Sequence, residues 1–333
     1  MSIIQLPLAK SPVEGLQYLA YILGILLYYE ECLPWFYSNY IQLVWRSDFT
    51  SHLTFFPNWF SMNPWLDVQV FKKDTMKINN INIHHLITNC INSKIYFYSS
   101  FDEFYVPHKH AYGKKHFQHD FMIYGYDSIQ KEYMLLGYTD KHTFETTRIS
   151  FAQIEEAFFS NAFGTENVHL IGKKDNYKYD FDLQLVYEML EDYINSRNSS
   201  ERCRMYGEIL TNRVFGFDVY KCMREYFNLL LNDTADFDIR PLHILYEHKK
   251  CMILRLKYMY ENNFIEDCSH LYDNYRHIEN EVLAMRNLQI KYAISKDKRF
   301  LNKIVDMLSK MEQKEKILIE ELLGKIYNKL QKL

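Results

Sequence analysis

Apolar residues at Val13, Leu16, Ala20, Leu23 and Leu27 recur at intervals of three and four, which predicts a helix over residues 12–30. The pattern then changes to short alternating runs. These predict strands near Val68–Lys72, Lys94–Ser99, Phe117–Tyr124, Tyr133–Tyr138, Thr143–Ile149 and Val168–Ile171, with a helix over Asn82–Asn92 and another opened by Ser150. From about Asp180 onward the apolar spacing stays at three and four to the end of the chain. Leu301, Ile304, Leu308, Met311, Leu318 and Leu322 mark one face of a last helix. The expected organisation is an α+β domain over residues 1–175, built on an antiparallel sheet and an N-terminal helix, followed by an all-helical domain over 176–333. The polar, basic stretch Gly172–Tyr179 is read as the linker.

Composition narrows the function classes. The 333 residues hold only 10 glycines, and neither G-x-G-x-x-G nor G-x-x-x-x-G-K-[ST] occurs, so the two common phosphate-cradling loops are absent. Thirty-nine basic against 42 acidic side chains give a net charge of -3, which argues against a dedicated nucleic-acid partner. The apolar stretch Leu16–Tyr29 is shorter than the roughly 20 residues that span a bilayer. It is flanked by Glu14, Glu30 and Glu31, so it reads as a buried helix, neither a membrane segment nor a signal peptide. Six widely spaced cysteines form no C-x-x-C, which predicts free thiols and a reducing, cytoplasmic setting.

The densest chemistry lies in His116-Phe117-Gln118-His119-Asp120-Phe121-Met122-Ile123-Tyr124-Gly125-Tyr126-Asp127 and in Glu132–Asp140. A hairpin over Gly125–Lys131 would return the second strand antiparallel and set Asp140 opposite His119. The carboxylate would then orient the imidazole, making His119 a general base. A surface hairpin that merely ends in a histidine and an aspartate is the plain alternative.

His119, Gly125 six residues on, and Asp140 closing the next strand resemble the papain-like fold of the bacteriocin-leader peptidases and of the butirosin biosynthesis protein H N-terminal family. Phe237–Lys249 and the Phe151–Ala162 helix resemble a subset associated with nonribosomal-peptide and related natural-product clusters. The resemblance implies an acyltransferase that moves an acyl group from an acyl or peptidyl carrier-protein thioester to a small-molecule amine. It implies no cofactor of its own, phosphopantetheine entering only as part of the carrier substrate. In that fold a cysteine stands at the amino end of the first long helix, with an oxyanion-hole glutamine six residues earlier. Here Ser11 and Gln5 hold that spacing, which makes Ser11 the candidate nucleophile and Gln5 the candidate oxyanion donor. Ser11-Pro12-Val13-Glu14 also reads as a capping box. Cys32 is the alternative nucleophile, although Glu30 and Glu31 disfavour its thiolate. A noncatalytic accessory protein that binds a carrier protein or synthetase, and a thioester or peptide hydrolase, are the other readings.

His108, His110, His116 and His119 match no common zinc spacing, so no metal is assigned. With Lys109, Lys114, Lys115 and Tyr112 they are expected to form a basic, aromatic loop over the groove entrance, able to meet the phosphopantetheine phosphate. Arg240, His243 and Glu247, with Lys250 next, share a helix face and predict an ion-pair network. Cys203, Cys222, Cys251 and Cys268 are expected in the helical core. Pro34–Tyr40 and Phe55–Phe60 are candidate linings of an apolar acyl pocket.

Overall fold

A computed structural model of the chain describes residues 3–57, 63–160, 162–163, 166–205 and 207–332. The chain divides into two units, one of Met1–Cys32 with Trp59–Lys178, the other of Leu33–Asn58 with Tyr179–Leu333. The expected single cut after residue 175 is thus replaced by three crossings. The segment of residues 33–58, placed by the sequence pattern in the sheet domain, belongs to the helical unit.

The first unit holds β1 (Ile3–Gln5), α1 (Gln17–Leu26), β4 (Leu66–Lys72), α3 (Lys73–Ile78), α4 (Ile83–Asn92), β5 (Ile95–Asp102), β6 (Gln118–Asp127), β7 (Glu132–Tyr138), β8 (Phe144–Ser150), α5 (Phe151–Phe159) and β9 (Asn167–Lys173). Its sheet is antiparallel, in the order β4-β9-β5-β6-β7-β8, with β1 added on β6. β6 therefore meets two strands along one edge, β5 from Gln118 to Ile123 and β1 from Gly125 to Asp127. A bulge between Ile123 and Gly125 marks the change. Gly125 is required there, because a Cβ would stand 2.7 Å from the carbonyl oxygen of Ile4.

Local chemistry explains the helix ends. Ser150 and Gln153 form a capping box at α5, and Asn82 caps α4 by accepting from the amides of His84 and His85. α1 is apolar almost all round and buried except at half-buried Tyr18, with Leu19, Ala20, Leu23, Ile25 and Leu26 fully covered. It begins at Gln17, five residues later than the spacing predicts. Leu16 occupies the cap position without a side-chain bond. The expected capping box at Ser11 does not form, because Ser11 and Val13 close a tight turn in an irregular lead-in.

The second unit holds α2 (Leu33–Ser38), β2 (Gln42–Arg46), β3 (Thr54–Phe56), α6 (Leu183–Ile194), β10 (Arg213–Phe215), α7 (Asp218–Leu231), α8 (Arg240–Glu261), α9 (Ser269–Ser295) and α10 (Arg299–Leu330). The three strands form a small antiparallel sheet, β10-β2-β3, inside a unit expected to be all helical. Arg255 shows why residues 33–58 belong here. Its buried guanidinium donates to the carbonyls of Tyr37 (2.8 Å), Asn39 and Tyr40 (3.1 Å), at and just after the end of α2. Burial pulls its pKa down to about 10, so it remains a cation.

The core of this unit carries a fully buried ion pair. Lys249 Nζ lies 2.6 and 2.7 Å from the carboxylate oxygens of Glu315, which also accepts from the hydroxyls of Tyr220 (2.5 Å), Tyr193 (3.3 Å) and Tyr275 (3.4 Å). His248 Nε2 donates to the Ile41 carbonyl at 2.7 Å, leaving Nδ1 to accept from Lys249 at 3.1 Å. The expected face of α8 forms smaller pairs, Arg240 with Asp238 and His243 with Glu247. Phe55 and Phe56 are packed against Tyr40 and Phe215, so these two are core residues and do not line an acyl pocket. Asn58, Trp59 and Phe60 of that cluster, and Asn161 of the Phe151–Ala162 segment, lie outside the described residues.

Among the described residues, no helix is long and apolar enough to cross a membrane. All six cysteines are free; Cys203 is half-buried and the others are buried.

Candidate functional site

The amino end of α1 and the first residues of β6 meet in the first unit. Gln17, the first residue of α1, is 7% exposed and reaches two partners at once. Its Oε1 accepts from the backbone N–H of Tyr138 at 2.8 Å, while Nε2 stands 2.9 Å from His119 Nδ1. A backbone N–H can only donate, so the carboxamide orientation is fixed and Nε2 must be the donor toward the imidazole. Nδ1 then carries the lone pair and the ring proton sits on Nε2.

The carboxylate at His119 is its neighbour Asp120. Nδ1 lies 3.2 Å from Asp120 Oδ1 and 3.2 Å from its carbonyl oxygen. Tyr98 donates to Oδ2 at 3.1 Å and Tyr21 to the carbonyl at 3.2 Å. Burial works to raise the Asp120 pKa, but the His119 and Tyr98 contacts outweigh it and hold the carboxyl below its ordinary range. Burial likewise opposes a charge on His119, and the hydrogen bond and charge of Asp120 reverse that and raise its pKa. On protonation, the Gln17 NH2 gives way toward the Asp120 carbonyl and Oδ1, which it already approaches at 3.3 and 3.4 Å. Nε2 bears a proton in both states, so His119 presents a hydrogen-bond donor.

Two more charged groups close the floor. Lys109, expected on the exposed loop, is buried with Nζ donating to the Tyr138 carbonyl at 2.5 Å and lying 5.5 Å from the Phe121 ring centroid. Burial lowers its pKa against the pull of Glu103 and Asp120. Glu103, also buried, has its pKa raised by desolvation against Lys109 and His119. Gly137 makes room for this packing, since a Cβ there would stand 3.1 Å from Lys109 Nζ and 3.3 Å from Gln17 Oε1.

A second histidine–aspartate pair lies at the same end of the sheet. Asp102, at the end of β5, has a fully buried side chain that accepts from Ser160 Oγ (2.7 Å) and from the amides of Phe104 (3.1 Å) and Phe117 (3.2 Å). His116 Nδ1 completes the set at 2.6 Å. Burial would raise the Asp102 pKa, but Ser160, His116 and the two amides outweigh it and keep the carboxylate charged. The His116 ring stacks on Phe104 at 4.7 Å, and its side chain is 49% exposed.

The expected site residues fall in different places. Asp140 is exposed and its amide donates to the His108 carbonyl. β7 ends at Tyr138 and the chain turns over Thr139–Thr143. The ladder that pairs Met122 with Leu136, if continued, would set Asp140 against Gln118 instead of His119. Gln5 is exposed on β1 and paired with Gly125, six residues along β6 from His119, or about 20 Å. That span removes it from the His119 neighbourhood. Ser11 is 2% exposed, and its hydroxyl donates to the Val13 carbonyl at 2.6 Å while accepting from the Val13 amide at 3.1 Å. Cys32 is buried in a short turn, where burial first and Glu31 second push its thiol up to about 12. Of the loop cations, Lys114 and Lys115 remain exposed, Lys115 lying over the Phe117 ring.

Gln17 and Asp102 are the residues that sequence reasoning missed. Gln17 lies inside the apolar run that predicted the helix, and Asp102 follows the alternating run that predicted β5. Asp102-Glu103 closing a strand ahead of four histidines was the available signal.

No family model matches the chain, and no curated protein matches it.

Proposed function

We propose that this chain is a noncovalent accessory protein of papain-like, butirosin-H-N-terminal type that binds an acyl or peptidyl carrier protein during assembly of a peptide-like metabolite. One observation carries the reading. Gln17, with a carboxamide in place of a nucleophile, stands at the amino end of the first long helix and takes up the lone pair of His119. The resemblance puts the acyl-accepting thiol at that place, and an amide cannot form an acyl-enzyme. Ser11 is closed on Val13, and burial holds Cys32 as a neutral thiol, which supports the same reading. The Nε2–H of the part-exposed His119 and the exposed Lys114 and Lys115 suit the carbonyl and phosphate acceptors of a phosphopantetheine arm.

The test mixes the protein with an acetyl-loaded carrier protein and reads intact mass beside binding by calorimetry. Binding without a mass increase is the expected result. An acyl adduct on Ser11 or Cys32, or absence of binding, overturns the proposal.

A further inference from the structure

His116 and His119 are three residues apart and hold opposite tautomers. A charged carboxylate can only accept, so the 2.6 Å contact with Asp102 fixes the neutral His116 proton on Nδ1 and leaves the lone pair on Nε2. Asp102 is buried and held by three other donors, so it cannot swing away from the ring. Stacking on Phe104 fixes the plane of the imidazole, and the half-exposed ring keeps Nε2 accessible. A buried carboxylate, an oriented ring and an accessible lone pair are the components of a general base.

We infer that His116, oriented by Asp102, is a general base for attack of water or an amine on an activated acyl carbonyl, an ester or thioester, without an acyl-enzyme. His116 Nε2 takes a proton from the attacking oxygen or nitrogen as that atom bonds to the carbonyl carbon. The tetrahedral adduct then collapses, the C–O or C–S bond breaks, and the departing alcohol or thiol recovers the proton from the imidazolium. The products are an acid or amide and the free alcohol or thiol. His116 is the catalytic residue and Asp102 the positioning residue. The exposed aromatic side chain of Phe117, with the Lys115 ammonium over one face of its ring, offers an apolar surface for the acyl chain. The inference takes only the identity of its acyl donor from the carrier-binding reading, and a small ester tests the dyad by itself.

The experiment follows p-nitrophenolate release from p-nitrophenyl acetate, with and without glycinamide, by the full chain. His116→Gln is expected to lose about 10²-fold in rate, whereas His85→Gln, at an exposed position of α4, retains it. Asp102→Asn, checked for folding by circular dichroism, is expected to lower kcat with KM unchanged, and Asp102→Glu to recover part of it, because the acceptor that holds the ring proton on Nδ1 is gone. Equal rates for the wild type and His116→Gln overturn the inference, whether or not carrier binding is retained. Carrier binding lost with ester turnover intact would overturn the accessory reading and leave the dyad standing.

Discussion

Gln17 Nε2 donates to His119 Nδ1 across 2.9 Å, joining residues 102 positions apart, while the other end of the same carboxamide holds the Tyr138 amide. One side chain thus fixes the start of α1, the entry of β6 and the end of β7. Gln17→Leu removes the hydrogen bonds to the Tyr138 amide and to His119 Nδ1 in a part-buried setting. A loss of about 1–3 kcal/mol in urea unfolding is expected. Unchanged stability would show that the carboxamide does not hold these elements together.

The native thiols should be inert. Burial first pushes Cys32, Cys222 and Cys251 up to about 12 and Cys90 to about 11. Alkylation with iodoacetamide, mapped by peptide mass, should therefore find half-buried Cys203 ahead of the others. Gln17→Cys should add a faster site, because its thiol would meet His119 at a helix amino terminus. Labelling of Cys32 before Cys203 would contradict the burial argument.

Asp238 and His119 set opposite limbs of a stability profile. Burial acts to raise the Asp238 pKa, but His52 and Arg240 outweigh it and bring it from 3.8 to about 2. Its contribution is present above about pH 4 and is lost as the pH falls toward about 2. The raised pKa of His119 has the reverse sign: its contribution is present below pH 6.5 and is lost as the pH rises through the folded value. Urea midpoints across pH should show a shallower acid limb in Asp238→Asn and a shallower neutral limb in His119→Gln. Limbs unchanged from wild type would remove these groups as the cause.

Lys249→Met leaves the Glu315 carboxylate buried without its cation. A cost of about 3–5 kcal/mol is expected, while Lys249→Met with Glu315→Leu should recover a large part of it. Thermal and urea unfolding of the two single variants and the double variant give the coupling directly. Additive costs would mean that the pair does not act as a unit.

Elements whose side chains alternate or recur at three and four were legible in the chain: β5 to β9, α4, α5 and the long C-terminal helices lie where the pattern predicts them. The three-residue strands β1, β3 and β10 were not, because so short a run carries no period and is set by the strand it pairs with. The start of α1 was misplaced for a related reason. Ser11-Pro12 has the residues of a cap, but its hydroxyl is satisfied locally by Val13, and the helix begins where Gln17 finds Tyr138.

The sequence by itself determined which residues are apolar, where the long elements run, and that histidines crowd the entry to β6. Only the tertiary structure decided which partner each histidine has. Strand register, a bulge at Tyr124 and the early end of β7 gave His119 to Asp120 and Gln17, left Asp140 on an outer turn, and brought Asp102 to His116. Side-chain hydrogen bonds reach only about 3 Å, and a shift of one residue along a strand moves a group by about as much and to the opposite face, so chemistry of this kind is settled by register and not by composition.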